Sequence, residues 1–459
     1  MLWCILPVVV PAQDSLVIGT ILCEGNNRTR RAVLLREMTF REGQSLPAVQ
    51  LPAEMKESRR LLGNTGLFLK TRVDTCHLRR DTVDVCIRVK EAWYIYPIPI
   101  FELADRNFNV WWEDFYRDPN RINFGLYINH YNLTGWGDLL KAKVQYGYAH
   151  KYELAYNLPQ IPGHPAWGIG ILAQFQQYRE INYASANDRQ LFYRDFNRWM
   201  LRKSAFQIHL RYRPNYVWKF SSGISFRDIV TDPQVADELN PNFFPMAGSE
   251  MAFLTLWAHA EKDRLDDRPY AFRGHALSID MVKEGLGITG QRDKWWVEGQ
   301  VAGYLPTGSF HGFEAIVSGR VQLNRANPGF FEYNALGYGL RLVRGYEHYV
   351  VDGMDYALIQ AAWRIRILDR DIPLPWPSWF TIPAFQALPL KIYLQAMTDH
   401  GIVHDPFFRA NNPLRDRWLM SAGLGIDLRF FFDKIFTLRW NVNGLGENGL
   451  FLQTSFSIR

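Results

Sequence analysis

Three consecutive segments at the end of the chain alternate apolar and polar side chains, and this pattern constrains the fold more than any other feature. The segments are Leu419–Phe430, Phe436–Asn443 and Leu450–Arg459. Alternate side chains of an extended strand lie on opposite faces, so each segment has one apolar and one polar face. A membrane-spanning β-barrel requires such strands, with apolar residues toward lipid and polar residues toward a wet lumen. A soluble β-sandwich with one solvated face is the alternative.

The same alternation recurs upstream and predicts about sixteen antiparallel strands. Leu140–Tyr148 and Phe206–Arg213 are clear examples. An even strand count places both ends of a barrel on one side of the membrane. The predicted strands begin near residues 95, 121, 137, 151, 167, 202, 215, 249, 268, 293, 310, 353, 389, 417, 434 and 449.

Composition is compatible with this prediction and argues against two other classes. The net charge of +6 comes from 52 Lys+Arg and 46 Asp+Glu spread along the chain, so we expect no nucleic-acid partner. The sequence contains no run of eighteen apolar residues, which excludes a transmembrane helix. The 16 Trp, 22 Tyr and 30 Phe suit the aromatic girdles of a membrane barrel, although a large aromatic core would use them equally well.

The N-terminus, residues 1–12, has the apolar character of a secretory signal peptide that is cleaved before Gln13. The positive residues that usually begin such a segment are missing, which indicates a truncated start. A buried first strand is the alternative.

Residues 13–91 are predicted to form a small α/β domain of the order β-α-α-β-β. The first helix is expected to be capped by Thr29, and the second to end at Gly63 and Asn64. Its elements are predicted as a strand over Ser15–Cys23, a helix over Arg30–Met38, a linker over Gly43–Leu51, a helix over Pro52–Leu62, and a hairpin of Phe68–Cys76 and Val83–Val89.

Two cysteines flank the turn of this hairpin. Pairing around a turn at Arg79–Thr82 sets Cys76 opposite Cys86. An exported location would allow a disulfide, which makes Cys76 and Cys86 a candidate pair. Cys23 remains single and is expected to be a small buried apolar residue.

This domain resembles a polypeptide-transport-associated (POTRA) domain. The likeness rests on the stretches GTILCEGNNRTRRAVLLREMTFREGQ, SRRLLGNTGLF and VDVCIRVKE. The resemblance implies a periplasmic domain that docks other proteins, with an extended guest adding to an exposed sheet edge. Leu67–Cys76 is the predicted edge strand.

The predicted loop at residues 327–352 contains the sequence Leu-Val-Arg-Gly-Tyr, residues 342–346, and follows the eleventh predicted strand. Val343, Arg344, Gly345 and Tyr346 resemble the lumen-loop motif of the BamA/TamA superfamily of outer-membrane assembly barrels. Asp399, in Ala-Met-Thr-Asp-His-Gly, is similar to the family's acidic position on the second strand after that loop. The resemblance implies that the loop folds into the lumen, where we expect Arg344 to pair with Asp399.

The chain departs from the family pattern in three respects. Ala361 and Ala362 stand where related barrels often carry an acidic residue, the C-terminal residue is Arg459, and only one POTRA-like domain is present. The single POTRA-like domain indicates a barrel of the surface-antigen type and argues against a housekeeping role.

No enzymatic, cofactor or metal site is predicted. Gly444, Gly446 and Gly449 match a dinucleotide pattern but lie between two strands, which indicates a hairpin turn. His400 and His404 imitate a metal motif but are expected to be polar lumen residues. We therefore expect no catalytic residue and no cofactor.

The resemblance implies a Gram-negative outer-membrane protein, with residues 92–459 as the barrel, that inserts or translocates polypeptides. Its implied partners are outer-membrane lipid, unfolded or β-strand polypeptide clients, and periplasmic chaperones or accessory lipoproteins. The predicted seam joins Tyr94–Leu103 to Leu450–Ile458, because Pro97 and Pro99 cannot donate to a ladder. Alternatives are a dedicated two-partner-type secretion pore, a passive channel or adhesin, and an outer-membrane enzyme such as a lipase.

Overall fold

The computed structural model describes residues 15–105, 108–268, 270–287, 292–325, 328–375, 386–407, 412–430 and 434–455. The predicted signal peptide, residues 1–12, and the last residues of the chain, 456–459, lie outside the described residues. No helix in the described ranges is both long and apolar enough to cross a membrane. Contacts divide the chain into two compact units, the first made of residues 1–97, 128–141 and 156–169 and the second of residues 98–127, 142–155 and 170–459.

The first unit contains the predicted α/β domain, but its order is β-α-β-α-β-β, because Ser45–Pro47, within the predicted linker, pairs with the first strand. Four strands, β1 (Ser15–Glu24), β2 (Ser45–Pro47), β3 (Phe68–Arg79) and β4 (Thr82–Glu91), form one sheet in the order β2-β1-β4-β3. In this sheet β1 and β4 are parallel and the other pairs are antiparallel. Apolar side chains from both helices pack on this sheet, with Leu34, Leu62 and Ile87 fully buried. The helices are α1 (Arg31–Arg36) and α2 (Leu51–Asn64).

The predicted capping role of Thr29 is wrong. Arg30 occupies the N-cap position of α1 and makes no side-chain cap hydrogen bond. Thr29 instead donates through its hydroxyl to Glu91 at 2.6 Å and accepts from the side-chain amide of Asn132 at 2.9 Å. An N-cap hydroxyl accepts from a helix N–H, but Thr29 lies one residue before the N-cap position and its hydroxyl accepts from Asn132 instead.

A disulfide joins Cys76 to Cys86, although the strand register differs from the predicted one. Cys86 lies opposite Asp74, and the register shifts between Thr75 and His77. Cys76 therefore lies in the bulge, where an extra residue bends the strand. The strand β3 stands at the edge of the sheet, as the sequence predicts.

The prediction of sixteen barrel strands is confirmed. One antiparallel sheet contains sixteen strands, with β5 and β22 at the two ends of its order. The strands are β5 (Ile95–Leu103), β6 (Ile122–Tyr131), β7 (Leu139–Gly147), β8 (Ala149–Leu158), β9 (Trp167–Tyr178), β12 (Leu201–Tyr212), β13 (Trp218–Thr231), β14 (Glu250–Asp263), β15 (Gly274–Glu284), β16 (Lys294–Pro306), β17 (His311–Gln322), β18 (Asp355–Pro373), β19 (Ala387–His404), β20 (Leu419–Phe430), β21 (Lys434–Asn443) and β22 (Asn448–Ser455).

Burial in this sheet is inverted relative to a soluble protein. On β20, Leu424 is 60% exposed, whereas Asp427 and Arg429 are buried. On β21, Trp440 is exposed and Asn441 is fully buried. A soluble sandwich would bury the apolar side chains, so this pattern excludes that alternative and identifies a barrel with a polar interior.

One hairpin was not predicted. The strands β10 (Glu180–Ala186) and β11 (Arg189–Arg194) pair with each other outside the large sheet. Their turn is Asn187-Asp188, and both residues have positive φ. Asn and Asp tolerate this conformation well, so the dipeptide was the available sequence signal.

Candidate functional site

The long connection between β17 and β18 packs against the inner side of the barrel strands. It follows the eleventh strand of the barrel, as predicted. Leu336 and Val343 from this connection form one buried apolar cluster with Leu358, Val403 and Leu419 of the strands. We call residues 328–354 the lumen loop. The predicted loop of residues 327–352 begins at Asn327, which lies outside the described residues.

The lumen loop is held by an ion pair between Arg344 and Asp399. The guanidinium donates through Nε to Oδ2 of Asp399 at 2.7 Å, and its Nη2 contacts the second carboxylate oxygen. The main-chain N–H of Arg344 also donates to Asp399, at 2.9 Å. Asp399 is 0% exposed and Arg344 is 7% exposed. A bidentate pair with an added main-chain bond fixes both the position and the orientation of the loop.

Gly345 and Tyr346 place the loop against the last hairpin of the barrel. Gly345 has a φ of +93°, and a Cβ there would meet Asn441, Ser421 and Asn443 at 3.3–3.5 Å. Its carbonyl accepts from the side-chain amide of Asn443 at 2.9 Å. The Tyr346 hydroxyl accepts from the main-chain N–H of Gly444 at 3.1 Å. Glycine therefore allows both the backbone conformation and the close approach.

Main-chain and amide groups of β18, near Ala361, also hold the lumen loop. Arg344 Nη2 donates to the carbonyl oxygen of Ala361 at 3.4 Å. Gln360 on the same strand donates to Leu342 O at 3.1 Å and to Asp399 at 3.3 Å. The guanidinium thus keeps a partner on β18 without a second carboxylate.

Two further acids of the lumen loop have perturbed titration. Burial raises the pKa of Glu347 to about 7, and its carboxylate accepts from the Gly345 main-chain N–H at 2.7 Å. Burial also raises the pKa of Asp352 to about 6. Both shifts have the same cause, because burial disfavours the charged form of a carboxyl group.

The space beside the loop is polar. Arg344, Arg364 and Arg439 line one cavity together with Glu314 and Asp427. Charged side chains of both signs suit a hydrated interior and would not suit an apolar ligand.

The prediction that His400 and His404 are lumen residues is wrong. They alternate along β19 with Asp399 and Val403, which contact the lumen loop, so both histidines lie on the outer face of the strand. His400 accepts from Trp418 Nε1 at 3.2 Å, and His404 contacts Asp416 at 2.7 Å. Among the described residues, no group of three metal-ligating side chains converges. The Gly444–Gly449 pattern lies at the turn between β21 and β22.

A segment that sequence reasoning did not single out also contacts the lumen loop. It follows β5, comprises residues 108–121, and begins with a helical turn that includes Val110–Asp114. His348 of the loop contacts Asp114 at 3.3 Å and Glu113 at 3.5 Å. The aromatic run of Phe108, Trp111 and Trp112 was the only local signal for an ordered segment here.

Comparison with known proteins agrees with this geometry. Residues 16–92 match the family model for the POTRA domain, described as the surface antigen variable number repeat. A search of curated proteins found no match to the chain. The chain superposes on BamA from Haemophilus ducreyi lacking POTRA domains 1–3, with 14% identity and a TM-score of 0.55, covering 96% of this chain and 84% of that one.

Two solved structures of CdiB are similar as well. CdiB from Escherichia coli gives 11% identity and a TM-score of 0.57, covering 96% of this chain and 76% of that one. CdiB from Acinetobacter baumannii gives 11% identity and a TM-score of 0.55, covering 96% and 73%. The chain therefore has the fold of the BamA and CdiB barrels, with a POTRA domain at residues 16–92. In this fold, Val343, Arg344, Gly345 and Tyr346 stand on the lumen loop and Asp399 on β19.

Proposed function

We propose that this protein acts in the outer membrane of a Gram-negative bacterium and assembles or translocates polypeptides. The observation that carries the proposal is the lumen loop, which the Arg344–Asp399 pair holds against the wall of a BamA/TamA-type barrel. The same loop is bonded to Asn443 and Gly444 at the last hairpin. A loop fixed at both places links the barrel interior to the terminal strand, where a polypeptide client would enter the sheet.

The POTRA domain supports the same proposal. Its edge strand β3 exposes Leu69 and Leu78, which are 52% and 69% accessible. An unpaired edge with accessible apolar side chains suits an extended guest that adds as a further strand. We propose that this edge receives clients, periplasmic chaperones or accessory lipoproteins.

We propose no enzymatic step. The described residues of the lumen loop form ion pairs and hydrogen bonds that position the loop, and the cavity beside it contains no histidine, serine or cysteine among its lining residues. Outer-membrane lipid is the partner of the exposed apolar face that includes Leu424 and Trp440.

Depletion of the protein tests the proposal. Loss of many outer-membrane proteins, measured by quantitative proteomics of the outer membrane, would support general assembly. Loss of a single exported protein would support a dedicated two-partner-type secretion pore. An unchanged outer membrane and secretome would contradict both forms of transport.

Bilayer conductance separates transport from a passive channel. With the lumen loop in place we expect small currents, and Arg344→Ala is expected to enlarge them because it releases the loop. Arg370→Ala removes an exposed arginine of β18 and is the matched control. A large, steady conductance in the unaltered protein would favour the passive channel.

A further inference from the structure

A side-chain amide covers part of the edge of β22. Asn109 donates through Nδ2 to the carbonyl oxygen of Leu450 at 2.7 Å. Its Oδ1 accepts from the main-chain N–H of Leu452 at 3.3 Å. A primary amide carries the same donor and acceptor as a main-chain peptide group. Asn109 therefore pairs with β22 in the way that a neighbouring strand would.

The pairing of the last hairpin shows which edge is covered. Asn443 N–H donates to Glu447 O at 2.9 Å, at the turn between β21 and β22. Hydrogen-bonded and non-bonded pairs alternate along an antiparallel ladder. Every second pair after Asn443 and Glu447 is therefore hydrogen-bonded, which includes the pair of Arg439 and Phe451. The main-chain groups of Leu450 and Leu452 then point away from β21. Asn109 thus occupies the outer edge of the terminal strand in the sheet order.

The segment that carries Asn109 is fixed firmly at its far end. Arg121 is buried and donates to Glu180 at 2.5 Å and to Asp105 at 2.6 Å. Its guanidinium also lies 3.5 Å from the ring centroid of Phe115. By contrast, the bonds from Asn109 to β22 are partly open to solvent. The ion pairs of Arg121 hold the segment more strongly than the Asn109 bonds hold it to β22. Another strand can therefore replace Asn109 on β22 without unfolding the segment.

The lumen loop reaches the same place. His348 contacts Asp114 at 3.3 Å on the Asn109 segment, and its ring lies 6.1 Å from the ring of Phe451 on β22. One residue of the loop therefore touches both the covering segment and the covered strand.

We propose that Asn109 is a latch on the strand edge at which a client β-strand docks, and that the client displaces it. The proposal deepens the proposed function and rests on it, because it names the side chain that covers the edge of β22 at the predicted seam. The occupant is an extended polypeptide, since both groups of β22 that bond to Asn109 belong to the main chain, and a strand repeats the same donor and acceptor at every second residue. The edge that Asn109 covers would therefore bind an extended main chain of any sequence.

Residue-resolved hydrogen–deuterium exchange of the full chain in lipid nanodiscs tests the latch without a client. Asn109→Ala is expected to speed exchange of the Leu452 amide by about tenfold, because the amide loses its acceptor. The Phe451 amide, which faces β21, is expected to stay protected. Asn109→Asp keeps an acceptor but no donor and is expected to preserve the protection. Asn120→Ala is the matched control, because the Asn120 amide contacts Asp118 in the same segment.

Capture of a strand tests the docking edge. The probe is a synthetic peptide that copies Leu419–Phe430 and carries a photo-crosslinker at its centre, compared with a scrambled peptide of the same composition. Asn109→Ala is expected to raise crosslinking to β22 by about fivefold over the unaltered protein, because two competing hydrogen bonds are removed. The Asn120→Ala variant is expected to match the unaltered protein.

The outcomes distinguish the latch from the function. Faster Leu452 exchange together with increased peptide capture supports the proposal. Unchanged exchange, or measurable capture that is equal in the unaltered protein and Asn109→Ala, overturns the latch and leaves the proposed function standing. Faster exchange with no capture of peptide by either protein overturns the docking of client strands at this edge and counts against the proposed function as well.

Discussion

The side-chain amide of Asn443 donates to the main-chain carbonyl of Gly345 at 2.9 Å, which ties the lumen loop to the last hairpin of the barrel. The Arg344–Asp399 pair fixes the same loop on β19. The loop is therefore attached at two separated strands, and weakening either attachment has measurable consequences.

Arg344→Ala and Asp399→Ala are each expected to destabilise the folded barrel by about 3–5 kcal/mol, because either change leaves a buried charge without its partner. Removing both side chains is expected to cost less than the sum of the two single changes. Semi-native gel electrophoresis across a temperature series measures the loss of the folded band. Strictly additive costs would show that the two residues do not interact.

Gly345→Ala is expected to loosen the loop more than Gly339→Ala. Both glycines have positive φ, which costs an alanine about 1–2 kcal/mol. Only Gly345 also has side chains within 3.5 Å of the added methyl group, whereas nothing lies within 4 Å at Gly339. Conductance and the same temperature series compare the two variants. Equal effects would mean that packing at Gly345 is unimportant.

Docking of the lumen loop is expected to weaken as the pH rises from about 5 to 8. Burial raises the pKa of Glu347 to about 7 and that of Asp352 to about 6. A raised carboxyl pKa means that the docked loop binds protons more tightly than the released loop. The stabilisation is complete below the ordinary pKa and is lost as the pH passes the raised value.

The measurement for this pH dependence is the frequency of channel opening in bilayers at pH 5, 6, 7 and 8. Glu347→Gln is expected to remove the upper part of the dependence, and Asp352→Asn the lower part. An opening frequency that falls with rising pH would contradict the assignment.

Removal of the Cys76–Cys86 disulfide is expected to destabilise the POTRA domain by about 2–3 kcal/mol, the chain-entropy value for a loop of this length. Limited proteolysis of the full chain with and without reductant measures the protection of residues 15–91. Cys23→Ser is the control, because Cys23 forms no disulfide. Equal protection in oxidised and reduced protein would contradict the prediction.

Much of the barrel could be predicted because its signal is local. An alternation with a period of two residues marks a strand wherever it lies, and the predicted starts near residues 95, 167 and 434 coincide with β5, β9 and β21. The disulfide register could not be predicted, because a bulge at Cys76 leaves no trace in the alternation.

The site was only partly accessible from the sequence. The Arg344–Asp399 pair followed from the resemblance, since nothing in the spacing of two residues 55 positions apart indicates contact. The pairing of Asn109 with Leu450 spans 341 positions and depends on how the barrel brings its first and last segments together. Such contacts belong to the assembled sheet and have no local signature.

The outward position of Leu424 and Trp440 has a consequence for how the chain matures. A closed barrel exposes a continuous hydrophobic belt, and in water such barrels would aggregate. The newly made chain must therefore stay open until it meets a bilayer. The protein that we propose to insert others into the membrane must therefore itself be inserted before its barrel closes.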